Sequence, residues 1–266
     1  MLREKDIDHY IMLHLSGRTI SSLFFIELLL LLLMNLHLAD LINVILSLFS
    51  VFLIPGMFLI VVFLKDSSKI SITELMVLSL STSVLAISSI VILSAYLSYP
   101  LNNIFLYLVL VSILSVVTII YVVTSKEVTI TFSKAEVFHI PLSIICFLFL
   151  VDIFFNLPHY PPPDEAIYLL NARYLLLKGE LFGFSYSYWR DKIVVLMLDG
   201  RYLWISIVSA FISFANISPI HANLIGFIFL FGITLSIPLL MPSPCRNDVL
   251  SRLFSLIFGL ISPFII

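Results

Sequence analysis

The groups able to do acid–base chemistry in this chain gather in one interval, Pro158 to Arg201. It opens Pro161-Pro162-Pro163-Asp164-Glu165 and runs on as Ala166-Ile167-Tyr168-Leu169-Leu170-Asn171-Ala172-Arg173-Tyr174. Lys178, Arg190, Lys192 and Arg201 follow, so carboxylates and cations share one stretch of an otherwise apolar chain. The three prolines make a stiff, extended approach that cannot continue a helix. Asp164 then suits an N-cap, its carboxylate accepting from the first free backbone N–H groups. The run to Lys178 favours helix and stops at Gly179, a normal C-terminal signal. Asp164, Asn171 and Lys178 are spaced by seven and fall nearly on one helical face. Leu169, Leu170, Leu175, Leu176 and Leu177 cover much of the rest. Such a helix is expected to lie in the membrane interface, its acidic end among headgroups and water. A cap alone would account for Asp164. Tyr160, Tyr168, Tyr174, Tyr186, Tyr188, Trp189, Tyr202 and Trp204 would equally suit an interfacial aromatic belt with no catalysis.

The elements that must hold this loop are membrane helices. Of 266 residues, 61% are hydrophobic and 11% charged, and the mean hydropathy is +1.16. Soluble domains carry about 25% charged residues, so composition assigns the chain to the integral membrane class. A net charge of −2 argues against a nucleic-acid partner. Cys146 lies in an apolar run and Cys245 in a short polar connection, far apart, which implies no disulfide or metal framework. His14, His37, His139, His159 and His221 show no ligand spacing, although His159 shares the loop with Asp164. Met1 to Arg18 is of mixed charge with no small-residue cleavage site, and reads as a retained cytoplasmic tail.

A spanning helix needs about 20 mostly apolar residues. The candidates are Ile20–Leu38, Leu41–Leu64, Ile72–Leu97, Ile104–Val123 and Phe138–Leu157, then a short Tyr202–Ile217, Ala222–Met241, and Leu253–Ile266. The fold class is therefore all-α, polytopic, with about seven or eight membrane helices and one long external loop carrying an interfacial helix. Around Lys126–Lys134, Thr129, Thr131 and Ser133 alternate with Ile130 and Phe132, which is a short strand or a connecting loop. This marks a weak boundary between an N-terminal membrane module, 1–137, and a second unit, 138–266. Arg3, Lys5, Arg18, Lys65, Lys69, Lys126 and Lys134 fall in alternate connections, which places the N-terminus in the cytoplasm and sends 158–201 outside a cell membrane. Arg246 and Arg252 conflict with strict counting. The short sixth segment, as a re-entrant or interfacial piece, is the place where that count fails.

Polar groups inside the apolar runs are few. Glu27 sits deep enough that protonation or a partner is required, because a charge at the bilayer centre costs about 2.5–3.5 kcal/mol on insertion scales. It either lines a proton or ligand path or is a neutral acid hydrogen-bonded within the bundle. Glu74 stands near a helix start, where the dipole favours an anion. Asp152 is near enough to the end of its helix to face the loop. Pro55-Gly56 interrupts the second span, as a transporter binding site does or as a kink that packing tolerates. No similar break recurs at a matching position.

An outer loop that opens Pro163-Asp164-Glu165, adds Ala166-Ile167-Tyr168 and enters a helix ending Lys178-Gly179-Glu180 resembles the GT-C superfamily of integral membrane glycosyltransferases. The likeness is to the protein mannosyltransferase and aminoarabinose transferase branch, and it covers about residues 138–266. It implies transfer of a sugar from a polyprenyl-phosphate donor at the outer membrane face. An acidic loop residue would act as catalytic base or hold a divalent cation, magnesium or manganese. Carried over, that role falls on Asp164, with Glu165 in support. Arg173, Lys178, Arg190 or Lys192 would hold the leaving phosphate, since guanidinium and ammonium groups pair with its oxygens. Two features depart from the family: about five spans precede the loop, where one is usual, and the chain ends inside an apolar run at Ile266. The chain is thus expected to be the front part of such an enzyme, completed by a C-terminal partner chain. The competing class is a non-catalytic polytopic protein, a subunit or lipid-binding scaffold. Asp164 discriminates: an enzyme needs its carboxylate, whereas a cap tolerates Asn.

Overall fold

The computed structural model describes residues 11–34, 36, 40–96, 103–156, 172, 200–215, 224–240 and 252–253. Three strands and eight helices follow in chain order: β1 Ile11–Leu15, α1 Gly17–Met34, α2 Asp40–Phe52, α3 Ile54–Phe63, β2 Lys69–Ser71, α4 Ile72–Tyr96, α5 Asn103–Val123, β3 Val128–Phe132, α6 Lys134–Asn156, α7 Gly200–Ala215 and α8 Ile225–Leu240. Five stretches are long and apolar enough to cross a bilayer: Gly17–Met34, Asp40–Phe63, Ile72–Ser94, Phe105–Val123 and Lys134–Ile153. They coincide with the first five spans expected from hydropathy. The chain is a mostly helical membrane protein.

The strands add a feature that hydropathy did not foresee. β3 is central, antiparallel to β1 with Ile11 opposite Phe132 and Leu15 opposite Val128, and parallel to β2 with Ile70 opposite Ile130. The alternation Val128-Thr129-Ile130-Thr131-Phe132 suits a strand, and the strand alternative at Lys126–Lys134 is the one realised. Residues 11–15, read as part of a tail, are its partner. Because β1, β2 and β3 lead directly into α1, α4 and α6, the sheet ties the N-termini of three spanning helices together at one end of the bundle.

Each of these helices opens on a serine cap. Ser16 Oγ accepts from Thr19 N at 3.3 Å. Ser71 and Glu74 form a reciprocal pair, Glu74 N donating to Ser71 Oγ at 3.2 Å and Ser71 N to Glu74 Oε2 at 3.1 Å. Ser133 and Glu136 repeat it at 3.3 and 2.8 Å. Two capping boxes satisfy backbone donors that helix starts leave open. Glu74 thus has the helix-start role expected of it. Lys126 Nζ closes the other polarity, donating to Val62 O at 2.7 Å and Leu64 O at 3.1 Å at the end of α3.

The expected interruption at Pro55-Gly56 divides the second span into α2 and α3 at Leu53, and packing accounts for it. Gly56 N donates to Ser83 Oγ of α4 at 2.6 Å, replacing the intrahelical bond that the break removes. A Cβ at Gly56 would run into Ser79 O and come within 2.6 Å of Ser79 C and of Ser83 Oγ. The absence of a side chain lets α3 and α4 touch backbone to backbone, the means by which membrane helices gain dispersion contacts where lipid removes the hydrophobic drive.

Candidate functional site

All six residues expected to do chemistry, Asp164, Glu165, Arg173, Lys178, Arg190 and Lys192, lie outside the described residues. Their supports are described on both sides. α6 leaves the sheet end and finishes at Asn156, where the Asn156 side-chain amide donates to Asp152 O at 2.9 Å and to Asp152 Oδ1 at 3.3 Å. The acidic loop therefore departs from the end of the bundle opposite the sheet. Asp152, considered as a group that could face the loop, is exposed at that end. Within the expected interfacial helix, Ala172 is helical and fully buried, and its carbonyl accepts from Ser209 Oγ of α7 at 3.4 Å. α7 is anchored in turn by Phe211 against Phe52 and by Phe214 edge-on to Tyr107, with ring centroids 6.3 and 5.0 Å apart.

Two buried polar sites that sequence reasoning did not assemble lie inside the described body. The first is at the sheet end. Thr73 Oγ1 donates to Glu136 Oε1 at 2.6 Å, and Arg252 Nη1 reaches Thr73 Oγ1 at 3.2 Å. Arg252 Nη2 stands 3.5 Å from Glu136 Oε1, with side-chain exposures of 1% and 4%. Burial makes this pair costly to break, not strongly stabilising to have. His139, one turn along α6, is buried beside it, with Nε2 3.4 Å from Ser143 Oγ and Nδ1 without a partner. Arg252 lies at the sheet end, where Lys65, Lys69 and Lys126 also lie. The described parts of α7 and α8 are 16 residues each, about 24 Å along the axis.

The second site is Glu27, on α1. Its carboxyl is wholly buried and neither oxygen has a hydrogen-bond partner. Ser50 of α2 stands beside the carboxyl, the kind of hydroxyl that a neutral acid hydrogen-bonded within the bundle calls for. The signal for the first site was present as Ser-x-x-Glu at Ser71–Glu74 and Ser133–Glu136; the partner Arg252 carries no local signature.

A cleft of 450 Å³ opens between α4 and α8, lined by Val77, Leu80, Val84, Leu85, Phe229 and Gly232 among others. Its two hydroxyls are spent on their own helices, Ser81 on Val77 O and Ser236 on Ile233 O, so it offers hydrocarbon contact and little to orient a reacting group. Among the described residues no group of three or more His, Cys, Asp or Glu side chains converges to hold a metal.

Fold and polar sites together define a helical membrane protein whose strand-tied end carries basic residues and whose opposite end launches an acidic loop. No family model, curated protein or solved structure matches the chain.

Proposed function

We propose that the chain is a membrane glycosyltransferase, or the front part of one, that takes sugar from a polyprenyl-phosphate donor at the outer face of the cell membrane. The observation that carries the reading is the Pro163-Asp164-Glu165 loop leaving α6 at the bundle end opposite the basic sheet. In this reading the sheet end, with Lys65, Lys69 and Lys126, is cytoplasmic, and the loop meets a donor whose phosphate lies at headgroup level. The acceptor hydroxyl loses its proton to Asp164 as its oxygen attacks the anomeric carbon, and the sugar–phosphate bond breaks. Glu165 supports that carboxylate. Arg173, Lys178, Arg190 or Lys192 receives the departing phosphate. A divalent cation at Asp164 is the alternative use of the same carboxylate.

The test is Asp164→Asn, which keeps size and much of the N-cap but removes the charge that a base or metal ligand needs. Sugar transfer, measured with any partner chain present, should fall by at least about 100-fold while expression and helix content stay level. Equal transfer by the Asn variant would favour the non-catalytic scaffold.

A further inference from the structure

A cavity of 590 Å³ opens at the sheet end, where the start of α1 meets the end of α5. Gly17 stands against Val122 there: an added Cβ would lie 3.6 Å from Val122 Cγ2. Just past α5, Ser125 takes a φ of 50°, a left-handed value that side chains other than glycine seldom adopt. The turn brings Lys126 and Glu127 to the cavity wall. Lys126 Nζ is held in place by Val62 O and Leu64 O, at 2.7 and 3.1 Å. Arg18 lines the cavity from the first turn of α1 and is exposed. Among the described residues neither its guanidinium nor the Glu127 carboxylate has a hydrogen bond or an ion pair. Arg18 and Lys126 against Glu127 leave one positive charge in excess. Gly17 opens one membrane span and Val123 closes another, which puts these charges at headgroup level. From Ser22 in the cavity wall, Phe25, Ile26 and Leu29 continue the same exposed helix face into the bilayer, and Ile119 does so from Val122.

We propose that this cavity binds the headgroup of a singly charged anionic phospholipid from the leaflet at the sheet end. Arg18 donates to its phosphodiester oxygens, as guanidinium groups do in pairs, and the fixed Lys126 charge lies beside it. Basic pockets between membrane helices attract anionic lipids by both charge and depth. The net charge selects among them. One excess positive charge balances one phosphodiester, and Glu127 opposes a headgroup with further phosphates. The exposed apolar face below the cavity gives the acyl chains their place, which a free phosphate would not use. The site lies at the end of the bundle opposite the acidic loop, so it stands or falls separately from the proposed sugar transfer.

The experiment uses the whole 266-residue chain in mixed micelles doped with dioleoylphosphatidylglycerol or, at equal mole fraction, dioleoylphosphatidylcholine. Phosphatidylglycerol should raise the wild-type unfolding temperature over phosphatidylcholine in a dose-dependent way, as a ligand of the folded state does. The gain should shrink in high salt. Arg18→Gln should weaken phosphatidylglycerol binding at least about tenfold, the loss of a charge-assisted hydrogen bond, and Arg18→Lys should retain most of it. Glu127→Gln should act in the opposite direction and tighten binding, because it removes the one negative wall. Equal stabilisation by the two lipids would show that only acyl chains are held and would overturn the proposal. A shift of the same size from soluble glycerol phosphate would make the cavity a free-anion site and overturn the lipid assignment. Unchanged phosphatidylglycerol affinity in Arg18→Gln would place the lipid elsewhere. Should Arg18→Gln fail to fold, Glu127→Gln decides: affinity that stays level or falls overturns the site.

Discussion

Gly56→Ala tests the packing that holds the body together. The added Cβ meets Ser79 backbone atoms and lies 2.6 Å from Ser83 Oγ. Backbone cannot move aside as a flexible side chain can, so α3 and α4 must separate. Overpacking of that kind costs about 1–3 kcal/mol. Separation also stretches the 2.6 Å Gly56 N to Ser83 Oγ bond, whose loss adds about 1 kcal/mol. Alanine returns up to about 1 kcal/mol through its better helix propensity. The net expectation is a loss of about 2 kcal/mol, against a matched control, Gly226→Ala in α8, where nothing lies within 4 Å of an added Cβ. The control meets no clash, so it should be unchanged or stabilised by up to about 1 kcal/mol, the same propensity gain. Reversible unfolding in mixed micelles, followed by far-ultraviolet circular dichroism, measures both. If Gly56→Ala unfolds with its control, the backbone approach of α3 to α4 is not a determinant of stability and the account of the Pro55-Gly56 break is wrong.

Glu136→Ala should destabilise by about 3–5 kcal/mol because it removes the carboxylate paired with the buried Arg252 guanidinium; replacing both residues with apolar ones of similar volume should recover most of the loss in the same unfolding assay. Tyr121→Phe removes the buried 2.6 Å bond to Leu15 O that links α5 to β1, and should cost about 1–3 kcal/mol, read as a lower unfolding midpoint. Single cysteines at Ser185 and Ser67, in a chain lacking Cys146 and Cys245, should be labelled on intact cells at Ser185 and spared at Ser67; the reverse pattern would put the acidic loop on the cytoplasmic side and remove the proposed access to an outer-face donor.

The five spans were legible because burial in lipid demands runs of apolar residues that no other structure needs. The strands were harder to read. β2 has three residues, and β1 sits in a segment of mixed charge, so neither stands out before the pairing partners are known. β3 alone showed alternation. The capping boxes were readable from spacing, yet the Arg252 contact was not, because tertiary packing sets it across distant segments. Glu27 was visible as an anomaly from its neighbours in the sequence. That Ser50 of α2 stands beside it required the structure.

The two buried carboxylates differ in what surrounds them, and that separates structure from function. Glu136 stands in the first turn of α6, where the positive helix end favours an anion, and it accepts from Ser133 N, Thr73 Oγ1 and the Arg252 guanidinium. Both of its oxygens are engaged. Glu27 stands midway along α1, away from either dipole end, wholly buried beside Ser50. A membrane helix retains such a group only against a penalty, and a buried acid meets it by neutralising. The same reasoning places any catalysis elsewhere. A reacting carboxylate must be reached by donor and acceptor, and wholly buried Glu27 and enclosed Glu136 are not. The proposed transfer therefore rests on the acidic residues of the loop that follows Asn156 and not on either buried carboxylate.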